Sequence, residues 1–371
     1  MADLRLPTDL LPRDGRFGCG PSKVRPQALA RLAEVGDTLL GTSHRQPRVK
    51  EQVHRLQDGL AELFGLPEGY AVLLTVGGAT AFWESAAFGL VERRARHYVF
   101  GEFSGKFAKA TAAAPWLDTP DIVAADPGRR PVAGVAPGCD VQAYTHNETS
   151  TGVMQAPERH DEALVLVDAT SGAGGLPVDL TATDVYYFSL QKGFASEGGL
   201  TVAFVSPAAA QRIAAIAATD RYIPAFLDLA TALDNSRKHQ TYNTPSVSTV
   251  FLAAEQVDWL REEFGDLTGV VAAQRAKADR VYGWAEERAF AAPFVADPDA
   301  RSLVVATVDL TEDVDADQVN AVLRANGILD TDAYRKLGRN QLRVGMFPAV
   351  DADDVAAYTA CVDWIVERIA A

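Results

Sequence analysis

The sequence predicts an α/β protein with a large domain built on a mostly parallel sheet and a smaller C-terminal α+β domain. Three observations predict it. From about residue 70, short strand-like runs alternate with helical-period segments in the βαβ manner. Those runs are apolar throughout, as in "EALVLVDATS" (162–171), which marks strands covered on both faces of a sheet. After about residue 265 the pattern shortens to units that read β-α-β-α.

The elements follow in order. "YAVLLTV" (70–76) reads as a strand, and "GGATAFWESAAFGL" (77–90) as a glycine turn and a helix. "HYVFGEF" (97–103) reads as a strand, with a helix over "SGKFAKATAAA" (104–114). "DVQAYTHNETS" (140–150) is a strand and a polar loop. "EALVLVDATS", "DVYYFSLQK" (184–192) and "GLTVAFVS" (199–206) are further strands. The alanine-rich "AAAPWL" (112–117) and "SPAAAQRIAAIAA" (206–218) have helical period. Two long helical patterns, 248–264 and 270–288, precede the small domain. There "SLVVATVDL", "DADQVNAVLRANG", "NQLRVGMFP" and "DADDVAAYTACVDWIVERIAA" follow one another. The expected organisation is an N-terminal arm at 1–21, a large domain at 22–265 and a small domain at 266–371.

Composition narrows the function. Lys and Arg total 35 against 49 Asp and Glu, a net charge of −14, which repels nucleic acid and anionic membrane. An anionic substrate therefore needs a local basic cluster. The three cysteines, Cys19, Cys139 and Cys361, have no paired spacing. A disulfide framework or zinc site is not expected, and the cytoplasm is the expected compartment. No apolar run has the length of a signal peptide or a membrane span. The six histidines are dispersed and there is no HExxH, so no catalytic metal is expected.

In an open α/β sheet, ligands bind beyond the carboxyl ends of the strands. The groups expected there are Gly77-Gly78-Ala79-Thr80, Phe103, Asn147-Glu148-Thr149, Asp168 and Gln191-Lys192. Lys192 is the only lysine between Lys109 and Lys238. Taken singly, each has an ordinary reading: a turn, a core ring, a capping carboxylate, a solvated lysine. Taken together they fit one ligand. The glycine turn opens a helix, and free N–H groups and the helix dipole there favour a phosphate. Phe103 offers a flat face, Asp168 a carboxylate for a ring nitrogen, and Lys192 an amine for a Schiff base. Those are the requirements of pyridoxal 5'-phosphate. The competing stretch "DATSGAGGLP" (168–177) lacks G-x-G-x-x-G spacing and opens no helix, so a dinucleotide site is rejected.

Several longer motifs stand in order along the chain. They are "GCGPSKVRPQAL" (18–29), "TSHRQPRV" (42–49), "THNETSTGV" (145–153), "LVDATSGAGG" (166–175), "SLQKGFASEGG" (189–199), "TYNTPSV" (241–247) and "YRKLGRNQLRVGMFP" (334–348). With them the chain resembles the class V, fold-type I pyridoxal-phosphate aminotransferases. Within these it is similar to the phosphoserine aminotransferase family of the actinobacterial type. The resemblance implies the fold-type I transferase fold and a homodimer with shared active sites. It implies amino transfer between L-glutamate and 3-phosphohydroxypyruvate in serine biosynthesis, extending to 4-phosphohydroxy-L-threonine in pyridoxine synthesis.

By position, Lys192 matches the Schiff-base lysine and Asp168 the partner of the pyridine nitrogen. Phe103 matches the stacking residue, and Thr149 the residue near the ring hydroxyl. Gly78, Ala79, Thr80 and Gln191 match the phosphate cradle. Asn243 and Thr244 match residues reaching that phosphate from a second subunit. His44 and Arg45 match the pair holding the substrate's distal anion, also across the interface. Arg343 matches the grip on the α-carboxylate. Arginine suits such sites because its planar fork pairs bidentately with carboxylate and phosphate. The chain departs from many members at Tyr334, where they carry a histidine before the arginine that is Arg335 here. The spacing from Arg335 to Arg343 is also longer, and Arg335 and Lys336 are the candidates to compensate. Two alternatives stay open at this point. One is a serine/alanine–glyoxylate aminotransferase, which has little use for a second anion site. The other is a cofactor-binding regulator, which would carry a DNA-binding domain.

Overall fold

The computed structural model describes residues 4–369, so the first three residues of the arm and the last two of the chain lie outside it. Two helices that the sequence pattern did not predict come first, α1 (Pro26–Leu39) and α2 (Pro47–Phe64). Then follow β1 (Ala71–Val76), α3 (Gly78–Gly89), β2 (Ala95–Val99), α4 (Glu102–Ala113), β3 (Asp121–Ala124) and β4 (Val141–Thr145). The short pair β5 (Asn147–Glu148) and β6 (Val153–Met154) precedes β7 (Leu164–Asp168), β8 (Val185–Ser189) and β9 (Leu200–Val205). Helices α5 (Pro207–Ala217), α6 (Leu229–Ser236), α7 (Val247–Phe264) and α8 (Leu267–Glu287) lead to the last unit. That unit holds β10 (Ala291–Pro293), β11 (Val305–Leu310), α9 (Ala316–Ala325), β12 (Gln341–Gly345) and α10 (Ala352–Ile369).

Seven strands form the main sheet in the order β1-β9-β8-β7-β4-β2-β3. All run parallel except β9, which pairs antiparallel with both β1 and β8. Alternation along each strand sorts side chains to two faces. Val165 and Val167 of β7 join a core with α2 and α7, while Leu164 and Leu166 join a core with α3. The carboxyl ends of β1, β4, β7 and β8 therefore open on one edge of the sheet. β10, β11 and β12 form a separate antiparallel sheet with α8, α9 and α10 packed on it.

Two local expectations need correction. The strand read over "HYVFGEF" stops at Val99, and Phe103 sits in the first turn of α4. Ser104 Oγ accepts the N–H groups of Phe100 and Gly101 at 3.0 and 3.1 Å, which turns the chain into the helix. The helical reading of "AAAPWL" also fails beyond Ala113. Pro115 has no N–H and disfavours helical backbone at Ala114. No helix among the described residues is long and apolar enough to cross a membrane.

The arm lies along the small sheet and ends at the large one. Leu6 N–H donates to Asn326 Oδ1, Phe17 packs on Tyr358, and Gly345 N–H donates to the Phe17 carbonyl. Ser22 N–H then donates to the Gln191 carbonyl at 2.7 Å, which brings Gly20 against Lys192.

Candidate active site

Strand parity places the central groups. Asp168 ends β7 on the same face as Leu164 and Leu166, so its carboxylate points toward α3. There Trp83 Nε1 donates to Asp168 Oδ2 at 2.7 Å and Thr170 N–H donates to Oδ1 at 3.0 Å. Ser189 ends β8 on the same face and its Oγ accepts the Ala79 N–H at 2.7 Å, fixing the start of α3. Gly77 and Gly78 have φ of +118° and +73°, and a Cβ on Gly77 would lie 2.7 Å from Ala81 Cβ. Only glycine turns this sharply into the helix; the Gly77 and Ala79 N–H groups are taken by the Gly199 carbonyl and Ser189 Oγ, and those of Gly78 and Thr80 have no hydrogen-bond partner among the described residues.

Lys192 is 8% exposed, and its Nζ donates to Thr149 Oγ1 at 3.1 Å and lies 5.4 Å from the centre of the Phe103 ring. Gly20 has φ of +136°, where glycine is favoured, and a Cβ there would come within 2.4 Å of Lys192 Cε. Burial pulls the Lys192 ammonium down to about 8, with the Asp168 carboxylate opposing the shift. Burial pushes Asp168 above the ordinary carboxylate value, and the hydrogen bonds from Thr170 and Trp83 pull it back.

These groups surround a cavity of about 340 Å³. Gly78, Ala79, Thr80, Phe103, Thr149, Asp168, Gln191 and Lys192 all line it. Arg343 and Arg335 stand in an adjoining cleft of about 1140 Å³ that shares Gly20 and Pro21. Arg343 Nη1 donates to the Thr149 carbonyl at 3.1 Å, its Nε is buried without a partner among the described residues, and its guanidinium lies over Tyr334. Arg335 is exposed.

His44, Arg45, Asn243 and Thr244 are elsewhere. They line neither space but cluster together, with Thr244 Oγ1 3.1 Å from His44 Nδ1 and Arg45 Nη1 3.0 Å from Gln240 Oε1. Burial, then the Arg45 cation, holds His44 below the ordinary imidazole value. Sequence reasoning did not single out Trp83 or Ser189. Both carry a readable signal: Trp83 lies on the apolar stripe 79, 82, 83, 86 of α3, and Ser189 has the strand parity of Tyr187.

The model for class-V aminotransferases matches residues 132–331. A phosphoserine aminotransferase of Nocardioides sp. is 57% identical over 99% of this chain and 99% of its own. The chain belongs to the class-V aminotransferases, in the phosphoserine aminotransferase family. Among solved structures, a phosphoserine aminotransferase from Cytophaga hutchinsonii superposes with a TM-score of 0.87 at 24% identity. It covers 95% of this chain and 99% of that one. A pyridoxal-phosphate-bound phosphoserine aminotransferase from Trichomonas vaginalis matches at a TM-score of 0.81 and 19% identity, over 95% and 100% of the two chains. The expected α/β transferase fold is thus the observed one.

Pyridoxal 5'-phosphate is the family's cofactor, and the cavity fits it. The glycine turn offers N–H groups to a phosphate beside Gln191, whose side-chain NH2 can donate to it. Asp168 is a buried carboxylate held in one orientation by two donors, and Lys192 is a buried amine of lowered pKa opposite a flat ring.

Proposed function

We propose that this chain transfers an amino group between L-glutamate and 3-phosphohydroxypyruvate, giving O-phospho-L-serine and 2-oxoglutarate. The observation that carries the proposal is the 57% identity, over nearly the whole length, to a phosphoserine aminotransferase. The paired cavity and arginine-lined cleft support it. The cofactor, when bound, supplies an aldehyde that captures an amine and a ring that takes up an electron pair.

The residues supply the rest. Lys192 Nζ holds the cofactor and moves the proton at the substrate Cα. Asp168 would face the ring nitrogen and hold it protonated. Phe103 takes the ring face and Thr149 the ring oxygen. Gly78, Ala79, Thr80 and Gln191 cradle the phosphate. Arg343 grips the α-carboxylate as a bidentate donor, and Arg335 extends the basic lining toward solvent. His44 and Arg45 hold the distal anion, and Asn243 and Thr244 reach the phosphate, all four from a second copy of the chain. Their mutual contacts, away from Lys192 of their own chain, favour that arrangement. In this reading the enzyme is a cytoplasmic homodimer. Each chain divides into the arm (1–21), the large domain (22–265) and the small domain (266–371).

Substrate choice tests the proposal. Phosphoserine is expected to be strongly preferred over serine, and Arg45→Ala to erase most of that preference. Losing a charged partner from a desolvated site typically costs on the order of 30- to 1,000-fold in specificity. Equal use of serine and phosphoserine by the unaltered enzyme overturns the assignment in favour of a glyoxylate aminotransferase.

A second expectation comes from the lowered Lys192 pKa of about 8. Only the neutral amine captures an aldehyde. At pH 7 about one-tenth of such amines are neutral, against roughly 1 in 3,000 for an ordinary lysine. The capture rate of the stripped protein is expected to rise about tenfold per pH unit below 8 and to level above it. Stopped-flow absorbance reads this directly. A rate still climbing steeply at pH 10 contradicts the assigned environment.

A further inference from the structure

We infer that Glu148 is a positioning residue that holds the Phe103 ring against the cofactor cavity. It does so by tying the first turn of α4 to the end of β5, one residue before Thr149. This rests on the reading that Phe103 takes the cofactor ring.

Glu148 is fully buried and accepts hydrogen bonds at both oxygens. Oε2 accepts from Phe103 N–H at 3.1 Å, Ser104 N–H at 2.9 Å and Ser104 Oγ at 2.9 Å. Oε1 accepts from Phe103 N–H at 3.3 Å, Ser150 N–H at 3.2 Å and Ser150 Oγ at 2.7 Å. Among the described residues, the hydrogen-bond donors to its carboxylate are backbone N–H groups and serine hydroxyls. Its charge is met by N–H and O–H donors and by the positive end of α4.

Three features separate this from an ordinary helix cap. A cap usually comes from the residue preceding the helix, but that position is Gly101, which has no side chain. The carboxylate arrives from 45 residues further along the chain. Gly101 makes room for it, since a Cβ there would lie 2.3 Å from Glu148 Cγ. The residue that follows is Thr149, whose Oγ1 bonds both Lys192 Nζ at 3.1 Å and Ser171 Oγ at 2.8 Å. Glu148 thus anchors the turn that carries the Phe103 ring and itself precedes Thr149, and Phe103 and Thr149 are the two residues that flank Lys192. The amide of glutamine retains a single acceptor oxygen and cannot satisfy Ser104 and Ser150 together.

The test is a double-mutant cycle on the full-length protein, stripped of cofactor and titrated with pyridoxal 5'-phosphate. Quenching of tryptophan fluorescence reads the dissociation constant, and the visible circular-dichroism band of the bound cofactor reads ring placement. Glu148→Gln is expected to weaken binding about tenfold and to diminish the band as Phe103→Ala does. The double variant is expected to bind no more weakly than Phe103→Ala alone. Additive losses, with an unchanged band in Glu148→Gln, overturn the inference while leaving the proposed function standing. Unchanged affinity in Phe103→Ala removes the ring contact itself and the inference with it. Should Glu148→Gln fail to fold, Ser150→Ala removes one donor instead. It is expected to show the same non-additivity with Phe103→Ala, and additivity there is equally decisive against the role.

Discussion

Lys192→Ala is expected to lower turnover on the order of 10⁴-fold or more, since in the proposed mechanism it removes both the covalent attachment and the proton carrier. The fold is expected to survive. The ammonium is buried at a cost, as its lowered pKa of about 8 records, so its removal relieves desolvation even as it opens a small void. Thr149 keeps its bond to Ser171. Asp168→Asn is expected to lose most activity as well, because an amide does not hold the ring nitrogen positive. Borohydride reduction and peptide mapping test the attachment independently of rate. Lys277 makes that test demanding. Burial brings its pKa to about 7, lower than that of Lys192, so an unusual amine alone does not identify the site. Lys277 Nζ instead donates to the carbonyls of Phe347 and Val350 and borders neither the cofactor cavity nor the cleft. Label on Lys277, or on any lysine but Lys192, removes the assignment.

The legible parts of the site were those that local pattern specifies. Asp168 and Lys192 could be placed at neighbouring strand ends because β7 and β8 are unbroken apolar runs, and those strands do pair side by side. The glycine turn was legible because only glycine takes its backbone angles. Phe103 lines the same cavity as Asp168 and Lys192 but lies in α4 rather than at the end of a strand. "HYVFGEF" is apolar enough for a strand, and what turns it into a helix is Ser104 together with a carboxylate far along the chain. Glu148 itself reads as one polar residue in a polar loop, because its partners on α4, Phe103 and Ser104, lie more than 40 residues away in the chain. Edge strands β3 and β10 are short and carry Asp or Pro, so their pairing comes from neighbours rather than propensity. Helices α1 and α2 start at prolines and pack on α7. Their helical period was present in the sequence but lay ahead of the first βαβ signal.

Co-expressing Lys192→Ala with Arg45→Ala is expected to restore activity that neither variant has alone. Arg45 and His44 sit beside Gln240 and Thr244 of the same chain, outside the cavity that Lys192 lines. If they serve the partner's cavity, a mixed dimer has one site with both lesions and one with neither. Symmetric dimers exchange such segments across a two-fold axis, so the arrangement needs no special geometry. With random assortment about half the dimers are mixed and each has one intact site, so about a quarter of the unaltered activity is expected. If each chain completes its own site, every site in every dimer keeps one lesion and nothing is recovered. Native mass spectrometry establishes that mixed dimers are present, and turnover of phosphoserine reads the sites. Mixed dimers without recovered turnover would remove His44 and Arg45 from the partner's site and leave the distal anion to Arg335 and Lys336.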